Sequence, residues 1–188
     1  MKPMCVILLS ALLTLVVLFC CQKKESEMAA PEAKVAEIVE VATFDYIALP
    51  ARGSYEKHAA VIEKFWREVA DQKITPAGPM LGVYYNNPEE TVEDQLIWEI
   101  GFPVAAGTKA EIPLVLKKWD FAQVVRAIHQ GPYETTQNLY PKIFEFIAAA
   151  NKLAAGPIME HFLDQYPENI APDSLKTEIW IPVADSPQ

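Results

Sequence analysis

The chain has 188 residues, half of them hydrophobic, and a formal charge of −9. That length suits one domain or two small units sharing a core, and the acidity excludes the basic face that binding to nucleic-acid phosphates requires. Seven glycines leave no Gly-rich phosphate cradle, and the chain carries no HExxH, no GxSxG elbow and no dinucleotide fingerprint.

In chain order, Lys2 precedes an apolar or small-residue run over 4–21, which gives way to QKKESE. A short basic start, an apolar stretch and a small-residue cleavage region describe an export signal over 1–20. The run also reaches the minimum length of a membrane span, so a retained single-pass anchor is the alternative. Within it, LFCCQ resembles a bacterial lipobox. The resemblance implies lipidation at Cys21, with Leu18 three places back and Cys20 one place back, and Cys20 itself as the other candidate. Residues 21–34 then form a polar tether, and 35–188 a domain held by its lipid at a membrane of the bacterial cell envelope. No Cys follows Cys21, so this domain has no internal disulfide.

TFDYIAL, followed by Gly53, reads as a strand and a turn. Tyr55, Ala59, Ile62, Trp66 and Val69 then step by four and three, predicting one apolar helical face. Gly78-Pro79 turns into the strand MLGVYYN, and a polar loop leads to the last strand, IWEIGFPV. The second half reads the same way. AQVVRAI runs to Gly131, and a helix presents Tyr133, Gln137, Tyr140, Phe144 and Ile147. Gly156-Pro157, IMEHFLD and TEIWIPV follow. Pro141 departs from the pattern and predicts a kink, or a fresh helix start capped by Asn138.

The halves are copies. DQLIWEIGFPVA from Asp94 and DSLKTEIWIPVA from Asp173 share seven of twelve positions, and Gly53, Tyr55-Glu56 and Gly78-Pro79 match Gly131, Tyr133-Glu134 and Gly156-Pro157. Repeats of about 35–105 and 113–184 predict an α+β domain of duplicated βαββ units, forming antiparallel sheets with one helix per unit.

The succession VVRAIHQGPYE, helix, GPIMEHFLD, TEIWIPV resembles the GyrI-like (gyrase-inhibitor-like) family over residues 35–184. The same domain is the effector-binding part of multidrug-responsive and AraC-type bacterial regulators. The resemblance implies a pseudo-twofold pair of units with a central apolar cleft for lipophilic, often cationic, molecules. It also implies a cleft carboxylate, matched here by Glu160. Some relatives resemble hydrolases of strained natural products and use the pocket Glu. An export signal stands where regulators carry a helix-turn-helix segment, which argues against a transcriptional role.

Strand alternation sorts the candidate side chains. Glu160 and Phe162 share one face of their strand, with Met159, His161 and Leu163 on the other. In the last strand Ile179, Ile181 and Val183 suit the core, which turns Glu178, Trp180 and Pro182 away from it. Their first-half counterparts are Gly82 and Tyr84, then Glu99, Gly101 and Pro103. The non-core face is therefore expected to gather Tyr84, Phe162 and Trp180 around Glu160, Glu178 and Glu99, with Tyr133 contributing from the helix start. Aromatic walls with carboxylates suit an organic cation, and Gly82, standing where the other half has Glu160, leaves room for it. His58 is expected on an exposed helix face, His129 at a turn and His161 packed. No clustered ligand spacing points to a metal, and no axial-ligand motif points to haem or another cofactor. Three functions stand open: capture of a hydrophobic or cationic small molecule at the envelope, hydrolysis of a reactive molecule by Glu160, and a scaffold for another envelope protein.

Overall fold

The computed structural model describes residues 35–187. The expected export signal, the lipidated Cys21 and the whole tether over 21–34 lie outside the described residues. In the first half, β1 (Glu37–Glu40) and β2 (Phe44–Arg52) lead to α1 (His58–Asp71), β3 (Met80–Tyr84) and β4 (Ile97–Pro103). In the second, β5 (Val115–Trp119) and β6 (Gln123–Gln130) lead to α2 (Tyr140–Ala149), the short β7 (Lys152–Ala154), β8 (Ile158–Phe162) and β9 (Lys176–Asp185).

The strands form one antiparallel sheet in the order β1-β6-β9-β8-β3-β4-β2-β5, with β7 paired to β9. Read outward from its middle, the order is the same in both directions: β3, β4, β2, β5 on one side and β8, β9, β6, β1 on the other. The two units thus meet strand to strand at β3 and β8. They also exchange their outermost strands. β1 precedes β2 in the chain but pairs with β6, and β5 precedes β6 but pairs with β2. Backbone details repeat as well. Lys73 and Asn151, 78 residues apart, both take φ 53 just after their helices, and Gly53 and Gly131 both take positive φ at the turn after β2 and β6.

One row of paired residues crosses the six central strands: Leu49, Ile100, Gly82, Glu160, Ile179, Ala127. Paired residues of an antiparallel sheet share a face, so this row marks the face that carries both helices. There α1 buries Phe65 and Val69 against Leu49, Trp98, Ile100 and Phe102. On the other half α2 buries Ile143 and Ile147 against Val125, Ala127, Ile179 and Ile181. Ile100 and Ile179 hold equivalent positions, as the repeats predict. The opposite face has its own core of Tyr46, Leu81, Val83, Trp119, Val124 and Met159. No helix covers it. Instead the sheet curls: Trp119 on β5 and Trp180 on β9 are five strand steps apart, roughly 24 Å on a flat sheet, yet their ring centroids are 6.4 Å apart.

Two helical expectations are corrected. Trp66 and Phe144 are 42% and 44% exposed, and their neighbours Phe65 and Ile143 are wholly buried instead. The inward stripe of α1 is His58, Ile62, Phe65, Val69, one residue out of phase with part of the expected face. Apolar neighbours at 65 and 66 fit either phase, and the pleat beneath the helix selects one. Pro141 does mark a fresh start: a 3-10 helix over Tyr133–Leu139 ends and α2 begins with Pro141 in its first turn, where its missing N–H costs nothing. The cap is Leu139 without a side-chain bond, not Asn138.

Candidate functional site

Glu160 lies mid-strand on β8 at the seam of the units, on the helix-bearing face, and is 9% exposed. Its cross-strand partner is Gly82, and the space above Gly82 is filled. A Cβ there would meet Tyr84 Oη at 2.7 Å, because the Tyr84 ring folds back along β3. Tyr140, the first residue of α2, donates its hydroxyl to Glu160 Oε1. From the α1 side, His58 Nε2 is 3.2 Å from Tyr84 Oη, and His58 Nδ1 is 2.6 Å from the Tyr55 carbonyl. A carbonyl only accepts, so Nδ1 carries a proton.

The walls are aromatic and repeat across the pseudo-twofold. Tyr55 meets Tyr84 edge-on at 5.4 Å and 81°, while Tyr133 meets Phe162 at 5.3 Å and 77°. The halves then diverge. His58 packs on Trp98 at 4.2 Å, whereas the counterparts in the second half are Thr136 and Thr177, whose buried hydroxyls have no partner. One half is thus filled by large rings, and the other by small side chains with unused donors.

Burial pushes the Glu160 carboxyl up from its usual range, and hydrogen bonding from Tyr140 and Tyr84 pulls it only part of the way back. Burial also holds the Tyr84 and Tyr140 phenols well above theirs, with the Glu160 charge adding to the effect. Both tyrosines therefore stay neutral donors. Burial lowers the His58 imidazole, opposed by its bond to the Tyr55 carbonyl. Among the described residues no Lys, Arg or His forms an ion pair with Glu160.

The structure brings together Glu160, Tyr84, Phe162 and Tyr133 and separates them from the rest of the expected set. Glu99, Glu178 and Trp180 lie on the opposite face: Glu99 pairs with Val83, and Trp180 with Met159. Glu99 is 1% exposed and satisfied there by Tyr46 Oη at 2.8 Å, Tyr85 Oη at 2.9 Å and Lys117 Nζ at 2.5 Å. Glu178 Oε1 accepts from Trp180 Nε1 at 2.6 Å. Alternation within each strand is as expected. The relation between strands depends on register, and even-numbered Glu160 sits opposite odd-numbered Ile179. His129 does close its turn, with Nε2 3.0 Å from Thr135 Oγ1, and His161 is buried.

Sequence reasoning missed His58, Tyr140 and Trp98 as parts of this site. The stripe 58-62-65-69 was the available signal, because it puts His58 on the inward face beside Tyr55. Among the described residues no cluster of three or more His, Cys, Asp or Glu could hold a metal.

Residues 35–184 match the model of the GyrI-like small molecule binding domain. No curated protein matches the chain. Among solved structures, EcmrR in a complex with DNA superposes with a TM-score of 0.70 at 19% identity, over 80% of this chain and 57% of that one. The chain therefore spans little more than half of EcmrR. A hydrolase from Listeria innocua superposes with a TM-score of 0.58 at 14% identity, covering 86% of this chain and 97% of its own. SAV2435 bound to tetraphenylphosphonium gives 0.53 at 15% identity, over 79% of this chain and 93% of that one. At these identities the likeness is one of fold.

Proposed function

The chain belongs to the GyrI-like family of small-molecule-binding domains, and from that premise we propose that it captures a lipophilic cation at Glu160. One observation carries the reading: a buried carboxylate held by neutral tyrosine hydroxyls, in an ion pair with no cation among the described residues. Such an anion is costly to bury unpaired. A ligand cation supplies the missing charge, and its rings lie against Tyr55, Tyr84, Tyr133 and Phe162. The ligand displaces the Tyr84 ring from its place over Gly82. SAV2435, with the same fold, binds a cation of this kind, which supports the chemical class.

The matched pair N-methylquinolinium and 1-methylnaphthalene tests this, since the two have the same shape and differ in charge. Glu160→Gln is expected to weaken quinolinium binding by roughly 10- to 150-fold, the equivalent of ~1.5–3 kcal/mol for hydrogen bonds to a charged group. Naphthalene binding should stay as it was. Equal affinities for the two compounds, unmoved by the substitution, would rule the cation out. Because a raised carboxyl titrates into its charged form as pH rises, quinolinium affinity should climb with pH and then level off.

A second reading draws on the same site. A carboxyl held partly protonated by burial, beside Tyr84 and His58, suits general acid–base hydrolysis, and a Listeria innocua hydrolase shares the fold. Turnover of a strained electrophile that disappears with Glu160→Gln would favour it. We further propose that the domain is tethered through residues 21–34 to a lipid on Cys21 at the cell envelope. Intact mass of the membrane fraction checks this: a mature chain starting at Cys21 with added acyl mass is expected, and an unprocessed Met1 would overturn it.

A further inference from the structure

The site contains a histidine that the capture of a cation does not by itself require. His58 comes from α1, Tyr84 from β3 and Glu160 from β8, and the Tyr84 hydroxyl lies between the other two. It is 3.2 Å from His58 Nε2 and stands over Gly82, whose cross-strand neighbour is Glu160, close enough to that carboxyl to favour its charged form. Tyr84 has one proton to give. His58 Nδ1 is committed to the Tyr55 carbonyl at 2.6 Å, so only Nε2 can change its role.

Two arrangements satisfy the chain of bonds, and they hold the same number of protons. In the first, Glu160 is a neutral acid that donates to Tyr84 Oη, and Tyr84 donates to a bare His58 Nε2. In the second, the carboxyl proton has passed to Tyr84 Oη while the Tyr84 proton has passed to Nε2. Glu160 is then a carboxylate accepting from Tyr84, and His58 an imidazolium donating to it. One O–H bond breaks at Glu160, one N–H bond forms at His58, and Tyr84 exchanges one proton for another. No co-reactant is needed.

We propose that His58 and Glu160 share one proton through the Tyr84 hydroxyl, so that His58 sets the pH at which Glu160 becomes an anion. The titratable groups facing this chain are Tyr55, Tyr84 and Tyr140, all held neutral by burial. Among the described residues neither His58 nor Glu160 forms an ion pair. The two arrangements therefore differ only within the relay. His58 is half-buried at the start of α1, so the relay also connects the carboxyl toward solvent. Its consequence for cation uptake rests on the function proposed above, but the proton sharing does not.

The test has two arms. In ligand-free protein, the His58 imidazole C2–H resonance is followed against pH. Glu160→Gln should lower the His58 midpoint by about one pH unit. In a Tyr84→Phe background the same change should leave it nearly unmoved, because the link is gone while the fold remains. In the second arm, N-methylquinolinium, which has no titratable proton, is titrated from pH 5 to 9. His58→Gln keeps a hydrogen-bonding side chain but cannot accept the proton. Scaled to each protein's own high-pH plateau, the midpoint of the affinity profile should move up by about one unit, so that scaled affinity at the wild-type midpoint falls about 5-fold. A purely structural role would lower affinity equally at every pH, and that result overturns the proposal. So does a His58 midpoint indifferent to Glu160→Gln, or one equally sensitive with and without the Tyr84 hydroxyl. If quinolinium binds neither wild type nor variant, the cation reading fails and the first arm alone decides the relay.

Discussion

His161 should make this protein sensitive to mild acid. It stands mid-strand on β8, on the face that the sheet curls around, 5% exposed and 4.4 Å from the Trp180 ring. Its Nδ1 has no partner. Burial pushes the imidazole down to about 4, and the Glu178 backbone pulls up only weakly against that. Between about pH 6.5, where the residue titrates when unfolded, and about 4, the unfolded chain binds a proton that the folded chain refuses. Stability contributed by the neutral imidazole is therefore complete above pH 6.5 and lost as pH falls through that window. The drop from 6.5 to about 4, at roughly 1.4 kcal/mol per pH unit, amounts to about 3 kcal/mol, of which about 2 kcal/mol is gone by pH 5. His161→Leu removes the titration and keeps an apolar side chain of similar bulk. Urea unfolding of both proteins at pH 7.5 and 5.0 measures the difference, because surface carboxylates contribute equally to each and cancel. The wild type should lose about 2 kcal/mol more than the variant on acidification. Equal losses would refute the buried neutral imidazole.

The helix phase predicts unequal neighbours: Phe65→Ala should cost about 3–5 kcal/mol and Trp66→Ala no more than about 1.5 kcal/mol, read by urea midpoints, with a reversed order overturning the assignment. Two glycines of the sheet should also separate. A Cβ at Gly101 would stand 2.1 Å from the Ile47 carbonyl oxygen, which belongs to a paired strand and cannot move aside. At Gly82 the obstacle is the tip of the Tyr84 side chain. Gly101→Ala should therefore lose the cooperative thermal transition seen by circular dichroism, while Gly82→Ala keeps it.

The duplication was legible because backbone demands wrote themselves into residue types. Gly53 and Gly131 both take positive φ, and Pro103 and Pro182 hold equivalent registers, opposite Tyr46 and Val124. The exchange of β1 and β5 was not legible. EIVE and VLKKW are too short to carry a preference between two nearly equivalent edges. The site was half legible for a related reason. Period-two alternation placed Glu160 with Phe162 and Glu178 with Trp180 correctly, but nothing local to either strand says which of its faces meets which face of the next. Adjacent apolar residues at 65 and 66 hid the helix phase, and with it the inward turn of His58.

The pairing of Glu160 with Gly82 has a consequence for how such a chain can arise. A homodimer assembled from one unit, trading its first strand with its twin, would have the same strand order as this sheet. Its symmetry axis would then set two copies of Glu160 directly opposite one another, with Cβ atoms roughly 5 Å apart. Two carboxylates at that separation do not both ionise. Joining the units into one polypeptide lets the two positions mutate independently. One keeps its acid and the other shrinks to hydrogen, so the seam carries a single carboxylate in place of a like-charged pair.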